Sequence, residues 1–174
     1  MNYITLNIGA DHCAGYSGQE IFGAPFKGRA VDRFALEGKG EITKWNQDDR
    51  AVWNCGIMCN FATGYIDHEL YGKLLCSATG QEDFADPDYL WLVGERIFNL
   101  ERMFNMREGF GRKDDVFPVR FLKEPMEDGP SAGRVFEEES LLMDYYRVRG
   151  WNPETGVPTD EKLRELGLGF TLGK

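Results

Sequence analysis

The strongest hydrophobic rhythm lies in the middle of the chain, where Leu90, Val93, Ile97, Leu100 and Phe104 recur at spacings of three and four. Glu95, Arg96, Glu101 and Arg102 fall on the other side, so the segment predicts an amphipathic helix with the charges outward. Asp86-Pro87 opens it, because proline fits a first helical position where no amide hydrogen is needed; Gly109 and Gly111 follow its end near Arg107. Three further helices carry the same punctuation. Residues 47 to 62 follow a capping Asn46 and stop before Gly64. His68 to Thr79 follows Asp67 and stops at Gly80, with Leu70, Leu74 and Leu75 on one side. A helix after the acidic triplet Glu137 to Glu139 carries Leu141, Leu142, Tyr145 and Val148 and closes at Gly150. Thr159 caps a last short helix, Asp160 to Leu166.

The rest is broken chain. Residues 110 to 133 contain Pro118, Pro125 and Pro130, and residues 1 to 45 are punctuated by seven glycines and Pro25, with one short extended piece from Tyr3 to Asn7. The fold class expected is mainly α. A multihelical domain spans residues 46–174, and the glycine-rich segment 1–45 belongs to the same domain. So much unpatterned chain at the front suggests a domain whose earlier part lies elsewhere.

Composition narrows the function without choosing it. Of 174 residues, 42% are hydrophobic and 28% charged, and the formal net charge is −9. That balance disfavours nucleic acid and anionic membrane surfaces, both of which need a basic face. No apolar run approaches the length of a membrane span, and the first residues lack a signal-peptide pattern. Four cysteines are too few for a disulfide framework, so free thiols or metal ligands in a reducing cytoplasm are expected.

Two loci carry candidate chemistry. His12 and Cys13 sit in the small-residue loop Gly9-Ala-Asp-His-Cys-Ala-Gly15, where a histidine serves as acid, base or ligand, or simply bonds to nearby backbone. Cys55 and Cys59, four apart, share one face of the expected helix; they are either metal ligands or small core side chains beside Trp53, Ile57 and Met58. His68, between Asp67 and Glu69, is expected at the surface, and Cys76 in the core. No phosphate-binding loop, nucleophile elbow or His-Glu-x-x-His pattern occurs.

Four collinear segments add a resemblance that covers nearly the whole chain. Asn99 to Asp115 with Pro118 and Arg120, Asn7 to His12 with Gly15 and Tyr16, Gln47-Asp48 through Cys59-Asn-Phe61, and Tyr145-Tyr146 with Arg149-Gly-Trp151 resemble the C-terminal domain of tungsten or molybdenum aldehyde ferredoxin oxidoreductases. The resemblance implies a piece of a larger enzyme that oxidises aldehydes to carboxylic acids. Its cofactors would be a tungsten or molybdenum bis-pterin and one [4Fe-4S] cluster, passing electrons to ferredoxin. It assigns Cys59 as the one cluster ligand from this chain, the other three lying in an absent middle domain. His12 becomes the histidine near the metal. Asn54, Ile57 and Met58 fall on the pterin-binding stretch.

That stretch departs from the family's Asp-x-x-Gly-Leu-Cys. Asn54 replaces the carboxylate, and the glycine stands one place early, at Gly56, with Ile57 in its position. The isolated chain is expected to be inactive, to bind no cofactor by itself and to self-associate through the surface its missing domains would cover. Two alternatives remain: a non-catalytic helical interaction or assembly module derived from the family, and a small zinc-binding domain using His12, Cys13, Cys55 and Cys59.

Overall fold

The computed structural model describes residues 1–173. Eight α-helices, joined by short 3-10 turns, form among them: α1 Asn2–Thr5, α2 Gly18–Phe22, α3 Lys39–Cys55, α4 His68–Thr79, α5 Pro87–Arg107, α6 Val119–Lys123, α7 Glu138–Arg149 and α8 Asp160–Glu165. No β-strand forms among the described residues, only three isolated bridges. The mainly α class expected from the sequence is what the chain adopts.

Where the punctuation is chemical, the boundaries agree. Asp67 accepts the Leu70 amide at 2.8 Å, Asp86 accepts the Asp88 amide at 2.9 Å, and Thr159 accepts the Lys162 amide at 3.2 Å. Each removes an orphan donor of a helix start. α4 and α5 therefore begin and end where expected, and α8 begins where expected but stops one residue short, at Glu165; α7 has no side-chain cap and closes at Gly150 as expected.

α3 is the main correction. Its N-cap is Gly38, and Asn46, taken as a cap from the sequence, lies mid-helix with its amide bonded back to the Ile42 carbonyl at 2.8 Å. Residues 39–45 are therefore helix rather than loop, and a boundary after residue 45 cuts through α3. The helix also ends seven residues early, at Cys55. Tyr3 to Asn7, expected extended, instead begins with the helical turn α1.

α3 packs against both α5 and α7 and organises the core. One apolar cluster joins Ile4, Phe98, Leu142, Tyr145, Tyr146 and Trp151; a second joins Val52, Trp53, Tyr71 and Leu90. A third gathers Leu163, Leu166 and Leu168. The buried row of α5 is Leu90, Gly94, Phe98 and Arg102, four apart, while Leu100 and Phe104 of the expected stripe are exposed. Gly94 is required here: a Cβ at this position would lie 2.2 Å from the Asp48 carbonyl oxygen. Arg102, expected outward, is buried with a bidentate bond to Asp115 at 2.9 and 2.6 Å. Leu70 and Leu74 of α4 are likewise exposed, and Tyr71 and Gly72 take the buried face.

Candidate functional site

The C-terminal end of α3 sets the geometry. Gly56 caps the helix, and Ile57 adopts the left-handed conformation with φ 58°. The Ile57 amide donates to the Asn54 carbonyl at 3.0 Å, and the Met58 amide donates to the Trp53 carbonyl at 3.0 Å. This is the Schellman arrangement, completed by Met58 packing on the cluster that contains Trp53. Glycine normally occupies the left-handed position; a β-branched residue there stores backbone strain. In this conformation the Ile57 side chain is 93% exposed, and the chain turns so that Cys59 leaves the helix. Cys55 and Cys59 are therefore not one helical turn apart on a common face.

The His12 loop comes to this same end. Asp11 accepts the Cys13 amide and the Ala14 amide, the latter at 3.0 Å, which shapes the turn around His12. His12 Nε2 lies 3.4 Å from Cys13 Sγ, and the imidazole is exposed beside Tyr16. Gly15 is buried against Asn2, with no room for a Cβ: one would lie 2.0 Å from Asn2 Oδ1. Asn2 in turn donates to the Asp11 carbonyl at 2.9 Å and accepts from Gln47 of α3 at 3.0 Å. A direct tether closes the arrangement, because the Asn60 side-chain amide donates to the Cys13 carbonyl at 3.1 Å. The loop of His12 and the segment of Cys59 are thereby held together.

Beside Ala14 of this loop, between α3 and α5, lies a cleft of about 250 Å³ with Asn7, Gln47, Asn54, Cys55, Phe98 and Glu101 in its walls; neither His12 nor Cys59 lines it. Asn54 is exposed, and its side chain makes no hydrogen bond among the described residues. Burial, and then the Glu101 charge, push the Cys55 thiol up, so it stays protonated near neutral pH and is a poor ligand. Burial also raises the Glu101 carboxyl, against the opposing bond from Asn7 at 3.3 Å. Neither Gln47 nor Glu101 stands out as a cleft residue in the sequence, because each sits among ordinary helical positions.

Among the described residues, the one group of three His, Cys, Asp or Glu donors close enough to share a metal is Asp11, His12 and Cys13. The zinc set of His12, Cys13, Cys55 and Cys59 is not gathered. His68 also departs from expectation. Its side chain is buried between Trp53 and Trp91, and Nε2 lies 3.0 Å from Asp49 Oδ1, which also accepts the Trp53 indole at 2.9 Å. Cys76, expected in the core, is only half-buried.

The fold is a helical domain in which an exposed histidine loop is tethered to the segment of an exposed cysteine. Residues 1–168 match the family model described as "Aldehyde ferredoxin oxidoreductase, domains 2 & 3", and the chain belongs to that family. It is 39% identical over 170 residues to a tungsten-containing aldehyde ferredoxin oxidoreductase of Pyrococcus horikoshii, and 37% identical to that of Thermococcus kodakarensis. Each alignment covers 97% of this chain and 27% of the relative, so the chain spans about a quarter of their length. It is also 31% identical over 129 residues to an aliphatic sulfonate oxidoreductase, WOR-like subunit, of Pyrococcus furiosus, covering 68% of this chain and 20% of that one. Among solved structures, the active site complex BamBC of benzoyl coenzyme A reductase with 1,5-dienoyl-CoA is similar. There the TM-score is 0.63 at 25% identity, over 81% of this chain and 21% of that one.

Proposed function

We propose that this chain is the C-terminal part of a tungsten or molybdenum oxidoreductase that converts an aldehyde and water to a carboxylic acid, two protons and two electrons. The observation that supports the reading is the Asn60–Cys13 tether, which joins the residue after Cys59 to the residue after His12, 47 positions away, with both His12 and Cys59 exposed. A pterin-bound metal would supply the two-electron oxidation, and a [4Fe-4S] cluster would pass the electrons to ferredoxin.

The residues present fit both groups. A cubane cluster takes four thiolates, and this chain offers Cys59 as one exposed thiol on a non-helical segment, free to meet three from elsewhere. Asn54 offers an unpaired amide with one acceptor and two donors toward a pterin edge. Ile57 and Met58 extend the same stretch, with their backbone fixed by the Schellman bonds. Asn54 in place of a carboxylate gives neutral hydrogen bonds, weaker than charge-assisted ones.

His12 is the proton-handling group in this reading. An imidazole can hold a proton at the reacting oxygen and release it to solvent across the exposed loop. The rest of the protein, absent from this chain, would supply the pterin cradle and the remaining cysteines, in the cytoplasm. The chain alone then lacks activity and bound cofactor.

The test is anaerobic expression of this chain with and without the polypeptide that completes it, followed by iron, sulfide, tungsten and molybdenum analysis. Metal and sulfide are expected only in the complete protein, with iron lost in Cys59→Ala. Replacing His12 by Gln should leave metal content intact and lower turnover by about 10²-fold or more. A complete protein free of metal would leave the non-catalytic interaction module as the function.

A further inference from the structure

A second cleft, of about 490 Å³, shares no wall residue with the one beside Cys55. It opens between the segment before α3, the stretch around α6 and the approach to α7. Phe34, Leu36, Phe121, Val135, Phe136 and Leu141 give it an apolar lining. The far wall is fixed by backbone bonds: Met126 and Arg134 pair across a tight loop at 3.2 Å, and the Phe136 amide donates to the Phe121 carbonyl at 2.9 Å.

The charges around it are unequally satisfied. Lys39 is bound to Glu20 and to the Asp32 carbonyl, and Glu124 pairs with Arg120 at 3.0 Å. Arg33 and Arg134 are different. Both guanidiniums gather on one ring, lying 5.4 and 4.3 Å from the centre of Phe34, and neither makes an ion pair or side-chain hydrogen bond among the described residues. One unpaired acid, Glu137, lines the same cleft. The balance is one net positive charge beside an apolar floor.

Two unpaired guanidiniums at one ring each offer a planar fork matched to a carboxylate. A bare phosphate or sulfate would leave the floor uncovered, and a dianion would meet Glu137. We propose that this cleft binds a small amphipathic monoanion, an organic carboxylate with a short apolar body. Arg33 and Arg134 hold the carboxylate, and Phe34, Phe121 and Phe136 cover the body. None of His12, Asn54 or Cys59 lines it, so it is distinct from the candidate redox site.

Calorimetric titration of the chain with hexanoate tests this, with hexanamide as the neutral isostere and inorganic phosphate as the anion without a body. Hexanoate should bind saturably near or below about 1 mM. Hexanamide and phosphate should each bind about tenfold more weakly or worse. Arg33→Gln and Arg134→Gln should each weaken hexanoate by a similar factor, with circular dichroism and melting unchanged because both side chains are exposed. Binding should also weaken as salt is raised. Equal binding of hexanamide would show an apolar cleft without charge recognition, and equal binding of phosphate a plain anion site; either overturns the proposal. So would undiminished affinity in the folded double variant, or the absence of saturable hexanoate binding.

Discussion

Ile57 concentrates the local physics of the site in one residue. Its φ of 58° costs a β-branched side chain about 1–2 kcal/mol, and its exposed side chain recovers little by burial. Ile57→Gly should therefore raise stability by about 1 kcal/mol, after the added freedom of glycine in the unfolded chain is subtracted, as read by chemical denaturation. Arg149 is the opposite case. Fully buried, it donates to Asp48, to Gln47 Oε1 at 2.8 Å and to Tyr145 at 3.0 Å. Arg149→Met leaves Asp48 with Lys44 alone, at 2.7 Å, and takes a donor from Gln47 and from Tyr145; it should cost about 3 kcal/mol in the same measurement. Glu101 gives a pH signature. Its folded pKa lies above the unfolded value of about 4.3, so the protonated form is favoured by folding, and that stability is lost as pH rises through the folded pKa. Glu101→Gln should be more stable than the parent at neutral pH, and the difference should vanish below pH ~4. An equal gain at both pH values would contradict the sign.

At the scale of elements, α3 is held from two sides by contacts that leave no room. Gly94 lets α5 approach α3 until a Cβ would strike the Asp48 carbonyl, and the Gly40 amide donates to Asp144 of α7 at 2.8 Å. Gly94→Ala must push α5 away and also disturb the Asp48–Arg149 pair; a loss of about 1–3 kcal/mol is expected, visible as a lower melting temperature. The segments that carry the family resemblance meet here. Gln47 and Asp48 from one, Tyr145 and Arg149 from another, form one buried hydrogen-bonded network, and Arg102, Asp115 and Tyr146 form a second. Arg102 also donates to the Gly156 carbonyl at 3.0 Å. These motifs hold the fold.

At the scale of the molecule, the surface around the candidate site is apolar where an isolated protein is usually polar. Ile57, Phe61 and Tyr65 are each at least 90% exposed, and Ile8, Leu100 and Phe104 stand open near the other cleft edge. A chain covering about a quarter of its relatives' length has this face available for the remainder. Alone, it should self-associate through it. Light scattering against concentration should show mass above one chain, reduced in Ile57→Asp/Phe61→Asp. A strictly monomeric parent at all concentrations would contradict the expectation. Among the described residues no helix is long and apolar enough to cross a membrane.

Much of this was legible in the sequence for identifiable reasons. Helix boundaries set by capping chemistry at Asp67, Asp86 and Thr159 are local, so residue order alone determines them. The family was legible too, because four collinear motifs span the chain. What the sequence could not decide was decided by packing. Hydrophobicity chose Leu100 and Phe104 for the core of α5, yet the buried row contains a glycine and an arginine, whose fit depends on a carbonyl and a carboxylate far along the chain. His68 looked solvated among charged neighbours, but Trp53, Trp91 and Asp49 enclose it. The end of α3 at Cys55 follows from strain accepted at Ile57. The approach of the His12 loop to the end of α3 and the segment after it rests on Asn2 bonded to Asp11 and Gln47 and on the bond from Asn60 to Cys13, contacts between segments that no periodicity encodes.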